Sequence, residues 1–349
     1  MILSGFLKLH LQSDTGKEKP MKIGKVSENV LKRSILKQLH TVREEVLVGA
    51  AVGEDCAVLQ LLEDEVFVVS QDPTIFTKTE YGFLAVHKSL NNLAAQGATP
   101  IGILVSMILP ERVRESHIKS YMEEIMSVTN PLQIQVLGGH TEVSDAVSRP
   151  VVTITAIGKT KKGNEVCTCK AKPDQDIVIT KWIGLEGTII LAKEKEEELQ
   201  KKYPKHFVEE AKMFAQHISV LPEAATAVMS GVSAMHNLSE CGVFGALWEL
   251  AESAGVGLEI DLKKLPIKQT TIEICEYFDM NPYLLKANGS MLMVCDNGYD
   301  LVRELEKQGI VACVVGKITD NNDRIVKNGE ETRYLEPPKA DELYNIQFS

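Results

Sequence analysis

The sequence is short of the features that assign a protein quickly. Its seven cysteines (Cys56, Cys167, Cys169, Cys241, Cys275, Cys295 and Cys313) are odd in number and scattered. That argues against a disulfide framework and for a reducing compartment, so the chain is expected to be cytoplasmic. Cys167 and Cys169 form a lone C-x-C without the further ligands that a structural zinc needs. No apolar run reaches membrane-spanning length. Ile2–Leu11 carries Lys8 and His10, which makes it too short to span a bilayer and a poor signal peptide. Basic charge is also in deficit, with Lys plus Arg at 38 against Asp plus Glu at 48. A nucleic-acid or anionic-membrane surface is therefore not expected, although one local loop can still bind phosphate. There is no G-x-x-x-x-G-K-[ST] loop and no G-x-G-x-x-G opening a helix after a strand, which excludes P-loop and dinucleotide-fold readings.

What is present is an ordinary globular composition, 44% hydrophobic and 25% charged over 349 residues, enough for two lobes with sizeable cores. Residues 1–20 read as an appendage, with Met21 as a second plausible start. Helical spacing marks Ser27–Leu39 and Val113–Val128, and Gly82–Gln96 reads as a small-residue-rich helix stopped by Gly97 and then Pro100. Ala57–Leu61 and Val66–Ser70 read as two strands joined by an acidic turn, and Ile101–Leu109 as a strand buried on both faces. Ile134–Gly138 and Val151–Ile157 complete an α/β lobe over 21–165. The polar stretch Lys161–Asp176 marks a boundary, and 166–349 reads as a second α/β lobe. Its strands are Ile177–Thr180, Gly257–Asp261, Ser290–Cys295 and Val311–Ile318, and its helices Leu221–Met229, Val243–Ala254 and Tyr299–Gln308. Asp320–Ser349 reads as peripheral.

Three clusters in the first lobe combine glycine or hydroxyl with acid: Gly53-Glu54-Asp55, Ser70-Gln71-Asp72 and Gly138-Gly139-His140-Thr141-Glu142. Glycine lets backbone N–H groups approach an anion, and a neighbouring carboxylate can hold the Mg²⁺ that accompanies nucleotide phosphates. Singly, each is also a common turn. The second lobe adds Lys181–Thr188, His236–Gly242 and Ala287–Ser290, each next to a strand where helix N-termini offer free N–H donors.

The ordered series G-E-D-C-A-V, S-Q-D, L-N-N-L-A-A-Q-G-A-T-P, G-G-H-T-E-V, K-x-x-G-x-E-G-T, M-H-N-L-S-E-C-G-V and A-N-G-S resembles the aminoimidazole ribonucleotide (AIR) synthase superfamily, and within it HypE-like proteins. The resemblance covers about residues 25–320. It implies a two-lobed α/β fold whose N-terminal lobe forms a β-barrel across a homodimer. It also implies ATP, with Mg²⁺ in reduced number, and phosphoryl transfer to a small-molecule or protein-borne acceptor. By position, Asp55, Asp72 and His140 fall at catalytic places, Gly53, Asn92, Gly138, Gly139, Thr141 and Asn237 at nucleotide-binding places, and Asp55, Asp72 and Glu142 at metal places. The departures share one direction. Asn92, His140 and Asn237 stand where the family motifs carry acids, and Cys241 replaces a glycine. Each loss of negative charge weakens a Mg²⁺ site, and a weakened paralogue that regulates or scaffolds is the alternative expectation. HypE's reaction uses a cysteine at the extreme C-terminus; this chain ends Tyr344–Ser349, with Ser349 last. Cys241 is the one cysteine expected at a helix start, where the dipole favours a thiolate.

Overall fold

The computed structural model describes residues 19–75 and 80–346, so all but the last two residues of the expected appendage lie outside it. The first lobe contributes β1 (Gly24–Lys25), α1 (Glu28–Val30), β2 (Val46–Val48), β3 (Val58–Leu59), β4 (Glu65–Thr74), α2 (Tyr81–Ala95), β5 (Thr99–Leu109), α3 (Glu115–Thr129), β6 (Gln135–Val143) and β7 (Val151–Lys161). Five of these strands form one sheet in the order β1-β6-β5-β7-β4. The second lobe contributes β8 (Asp176–Thr180), α4 (Leu185–Glu194), α5 (Glu196–Leu199), α6 (Lys205–Met213), α7 (Leu221–Met229), β9 (Ala234–Asn237), α8 (Gly242–Ala254), β10 (Gly257–Asp261), α9 (Gln269–Tyr277), β11 (Met291–Cys295), α10 (Gly298–Lys307), β12 (Ala312–Thr319), β13 (Arg324–Asn328) and β14 (Glu331–Tyr334). Its sheet runs β14-β13-β10-β12-β8-β11-β9.

Period-two alternation sets the first sheet. Ile101, Ile103, Val105, Met107 and Leu109 of β5 are buried under α2 and α3, while Leu104, Ser106 and Ile108 between them are only half covered. The expected burial of this strand on both faces is therefore not seen. The sheet is open in a single chain, with Phe67 and Val69 of β4 exposed on its free face. In contrast, every residue of β8 and β11 is buried, as sequential helices on both faces require.

Helix α2 joins the lobes. It is buried nearly all round, which its small residues (Ala85, Ser89, Ala94, Ala95) permit. Its Leu90 and Leu93 belong to the first core, and its Ala94 and Ala95 pack with Val178, Met291 and Met293 of the second. Asn91 fixes the seam. Its amide donates to Ile218 O at 2.7 Å and Asn288 Oδ1 at 2.9 Å, and its carbonyl accepts from Val220 N at 3.0 Å.

Other expectations shift. β3 pairs with β2 and not with β4, so the acidic turn does not close a hairpin. The helix expected over Ser27–Leu39 changes winding twice along its length. Residues beyond 320 are not peripheral: β13 lies beside β10, and Asp341 and Leu343 are buried. Cys167 and Cys169 of the C-x-C are bridged to each other, a single short link and not a framework.

Candidate functional site

At the seam of the two lobes, β4, α2 and β9 bring together residues far apart in sequence. Asn92 donates to Asp72 Oδ2 at 2.5 Å and to Ser70 Oγ at 3.1 Å, and accepts from Asn237 Nδ2 at 2.8 Å. One turn earlier on α2, the Lys88 ammonium lies 3.1 Å from Asp72 and 3.4 Å from Glu240. Lys286 reaches the same Glu240 at 2.6 Å, with Glu186 behind it at 3.9 Å. Burial alone would favour neutral lysine at Lys286, but Glu186 and Glu240 outweigh it and hold the ammonium above its ordinary range. Burial opposes the charge of Glu240 too, and Lys286 with Lys88 reverses that, keeping it below the usual carboxylate range. Ser70, Asn92, His236, Asn237 and Ser239 line a cavity of about 680 Å³ here. Asn237 is 3% exposed and its Oδ1 has no hydrogen-bond partner.

The remaining expected residues gather elsewhere. Gly53, Asp55, Gly138, Gly139, His140 and Thr141 line a second cavity of about 730 Å³, walled by Leu104, Val136 and Ile157. The glycine cluster is not a turn, as it lies inside β6. His140 Nε2 pairs with Glu142 Oε2 at 2.8 Å. Across the sheet, Asp72, Ile154, Val105 and Gly139 occupy one row. Three strand spacings make that row roughly 14 Å long. Ile154 and Val105 in between are buried, so the two sets do not meet within one chain. His140 and Glu142 point to the opposite face from Asp72, because residues of adjacent parity alternate across a sheet.

The expected metal trio Asp55, Asp72 and Glu142 is thus not assembled. Among the described residues, no three His, Cys, Asp or Glu side chains converge as a metal site. At the seam both carboxylates are already paired with ammonium groups, so the donor set does not fit Mg²⁺.

Profile matches agree with this architecture. Residues 53–160 match the AIR synthase related protein N-terminal domain, and residues 172–327 its C-terminal domain. The chain belongs to the AIR synthase related family. A putative hydrogenase expression/formation protein of Methanocaldococcus jannaschii is 26% identical over 77% of this chain and 79% of its own length. The carbamoyl dehydratase HypE of Rhodobacter capsulatus is 24% identical over 78% of each. In structure, the hydrogenase maturation protein HypE in complex with ATP superposes with a TM-score of 0.77 at 15% identity, covering 92% of this chain and 97% of that one. A thiamine-monophosphate kinase from Stenotrophomonas maltophilia gives 0.70 at 19%, covering 90% and 99%.

In this AIR synthase related chain the start of α8 is already capped from within. Cys241 sits at φ 60°, the left-handed conformation that suits the glycine it replaces. Its N–H donates to Asp341 Oδ2 and its thiol to Lys339 O, both at 2.8 Å. Burial first, then Asp341 and Glu240, push that thiol up to about 11, so the expected helix-dipole thiolate is not formed. Lys88, Lys286 and Asp341 were not singled out by sequence reasoning, and Glu240 was noted only as part of the His236–Gly242 cluster. One signal was available: Lys88 is the sole charged residue between Tyr81 and Ala98.

Proposed function

We propose that this protein is a nucleotide-binding, ATP-dependent phosphoryl-transfer enzyme of the AIR synthase/HypE type, working as a homodimer on an unidentified small-molecule or protein-borne acceptor. The observation that carries the reading is the seam itself, where the amides of Asn92 and Asn237 line one groove and the Lys88 ammonium lies one turn behind them, bridging Asp72 and Glu240. Ammonium and amide N–H groups neutralise and position phosphate, which is most of what a protein does in phosphoryl transfer. The glycine-edged cavity at β6, with its apolar wall, suits a base and ribose. Since Ile154, Val105 and α2 separate the two sets in one chain, a second copy completes the site. The half-covered sheet face, with Phe67 47% and Val69 60% exposed, supplies an apolar surface for that pairing. The ATP-bound relatives support the nucleotide.

Turnover is expected to be slow. Asn237 donates to Asn92, so the two positions offer a bonded amide pair instead of two carboxylates, which favours a regulatory or scaffolding paralogue as the second reading. The test measures ATP binding, by thermal shift in Mg²⁺ buffer, and phosphate release on one preparation. Saturating ATP is expected to raise the melting temperature, because a native-state ligand at a hundred times its Kd adds about 2.7 kcal/mol of stability. Asn237→Leu should abolish the rise. No shift at millimolar ATP contradicts the proposal, and binding without phosphate release selects the second reading.

A further inference from the structure

We infer that the Lys88 ammonium is the resident cation of the inter-lobe site and stands in place of a divalent metal. Two carboxylates from different lobes, Asp72 and Glu240, converge on its Nζ at 3.1 and 3.4 Å. That is a cation bridging two acids. Lys88 is 5% exposed and is the one Lys, Arg, Asp or Glu on its helix, so it is not a solvated surface lysine that happens to lie nearby.

The rest of the site is arranged around a cation already present. Asp72 Oδ2 is occupied by the Asn92 amide and Glu240 Oε1 by Lys286. Asp72 and Glu240 are thus each already paired with an ammonium, Lys88 on the first and both Lys88 and Lys286 on the second. A divalent ion would have to share these same carboxylates with two ammonium groups in a desolvated place. The amides at 92 and 237, where the family motifs have acids, follow the same logic, since more carboxylates would leave Lys88 outnumbered. An ammonium has three donors and Lys88 uses two, leaving one for a phosphate oxygen. Asn92, one turn further along α2, lines the groove together with Asn237 and Ser239. The ligand class that fits is a polyphosphate taken without its metal.

The metal half of this inference stands without the nucleotide reading; the polyphosphate half rests on it. The full chain, free of nucleotide, is titrated with Mn²⁺ and followed by electron paramagnetic resonance, as wild type and as Lys88→Met. Wild type is expected to bind no Mn²⁺ at the seam. Lys88→Met, which frees Asp72 and Glu240 of one ammonium, is expected to bind it at least about tenfold more tightly. Mn²⁺ binding by wild type that disappears in Asp72→Asn overturns the inference, as does a folded Lys88→Met that gains nothing. A second arm measures ATP affinity in excess chelator and in Mg²⁺, and decides the matter if Lys88→Met does not fold. A ratio under about tenfold supports a built-in cation, and a larger loss in chelator overturns it. Absence of ATP binding in both buffers defeats the nucleotide reading and leaves the Mn²⁺ titration to judge Lys88.

Discussion

At the scale of single residues, the chemistry-bearing side chains divide into those the sequence exposes and those only the fold reveals. Asn92 and Asn237 were legible because they sit inside motif-like clusters. Their mutual hydrogen bond was not, since 145 positions separate them and nothing local couples the two. Lys88 was hidden by its setting, because a lysine in an apolar helix reads as a solvated edge until its partners are seen. His87, its neighbour, gives a pH test. Burial first and the Lys181 charge second push its imidazole down to about 3, and its Nδ1 has no partner. A base with a folded pKa below its unfolded value of about 6.5 contributes stability that is full above pH 6.5 and is lost as pH falls towards the folded value. Proton uptake on unfolding then costs up to about 1.4 kcal/mol per pH unit. His87→Leu should therefore lose less stability than wild type between pH 7 and pH 4 in urea melts. Parallel losses in the two proteins would contradict a neutral buried His87.

At the scale of elements, β6 shows how a glycine pair can serve two ends. Gly138-Gly139 was expected to supply backbone contacts to phosphate, and both residues do line the β6 cavity. A Cβ at Gly139, where φ is +153°, would stand 1.9 Å from Val105 O, so this glycine is required by strand packing alone. A Cβ at Gly138 would meet only Leu104 Cδ2 at 3.5 Å, an ordinary contact. Gly139→Ala is accordingly expected to lose about 3 kcal/mol or more, and Gly138→Ala to change stability by less than about 1 kcal/mol. Thermal melts of the two variants check this, and equal losses would refute the assignment. Helix existence was largely readable, because α3 carries a 3.6-residue pattern and α2, buried nearly all round, is still marked by its small residues and the Gly97 and Pro100 that stop it. The β2–β3 pairing was not, since a short strand chooses its partner by tertiary packing, not by the turn beside it. The buried tail failed for a related reason: Asp341 is polar in sequence but is held by Cys241 N–H at the start of α8.

At the scale of the whole molecule, the two-lobed plan was readable in the order of the motifs, whereas the distribution of the site between two regions was not. A row of buried residues separates Asp72 from Gly139, and no local pattern reports which face of a sheet a motif occupies. The central claim is that a nucleotide touches both regions at once because a second copy brings them together. Amide hydrogen exchange of the intact protein, with and without saturating ATP, tests it most directly. Slowed exchange is expected in three segments together: the loop 51–57, β6 around 138–142, and the turn 236–242. Protection of only one of the two regions, or of neither, would contradict a site completed across the dimer.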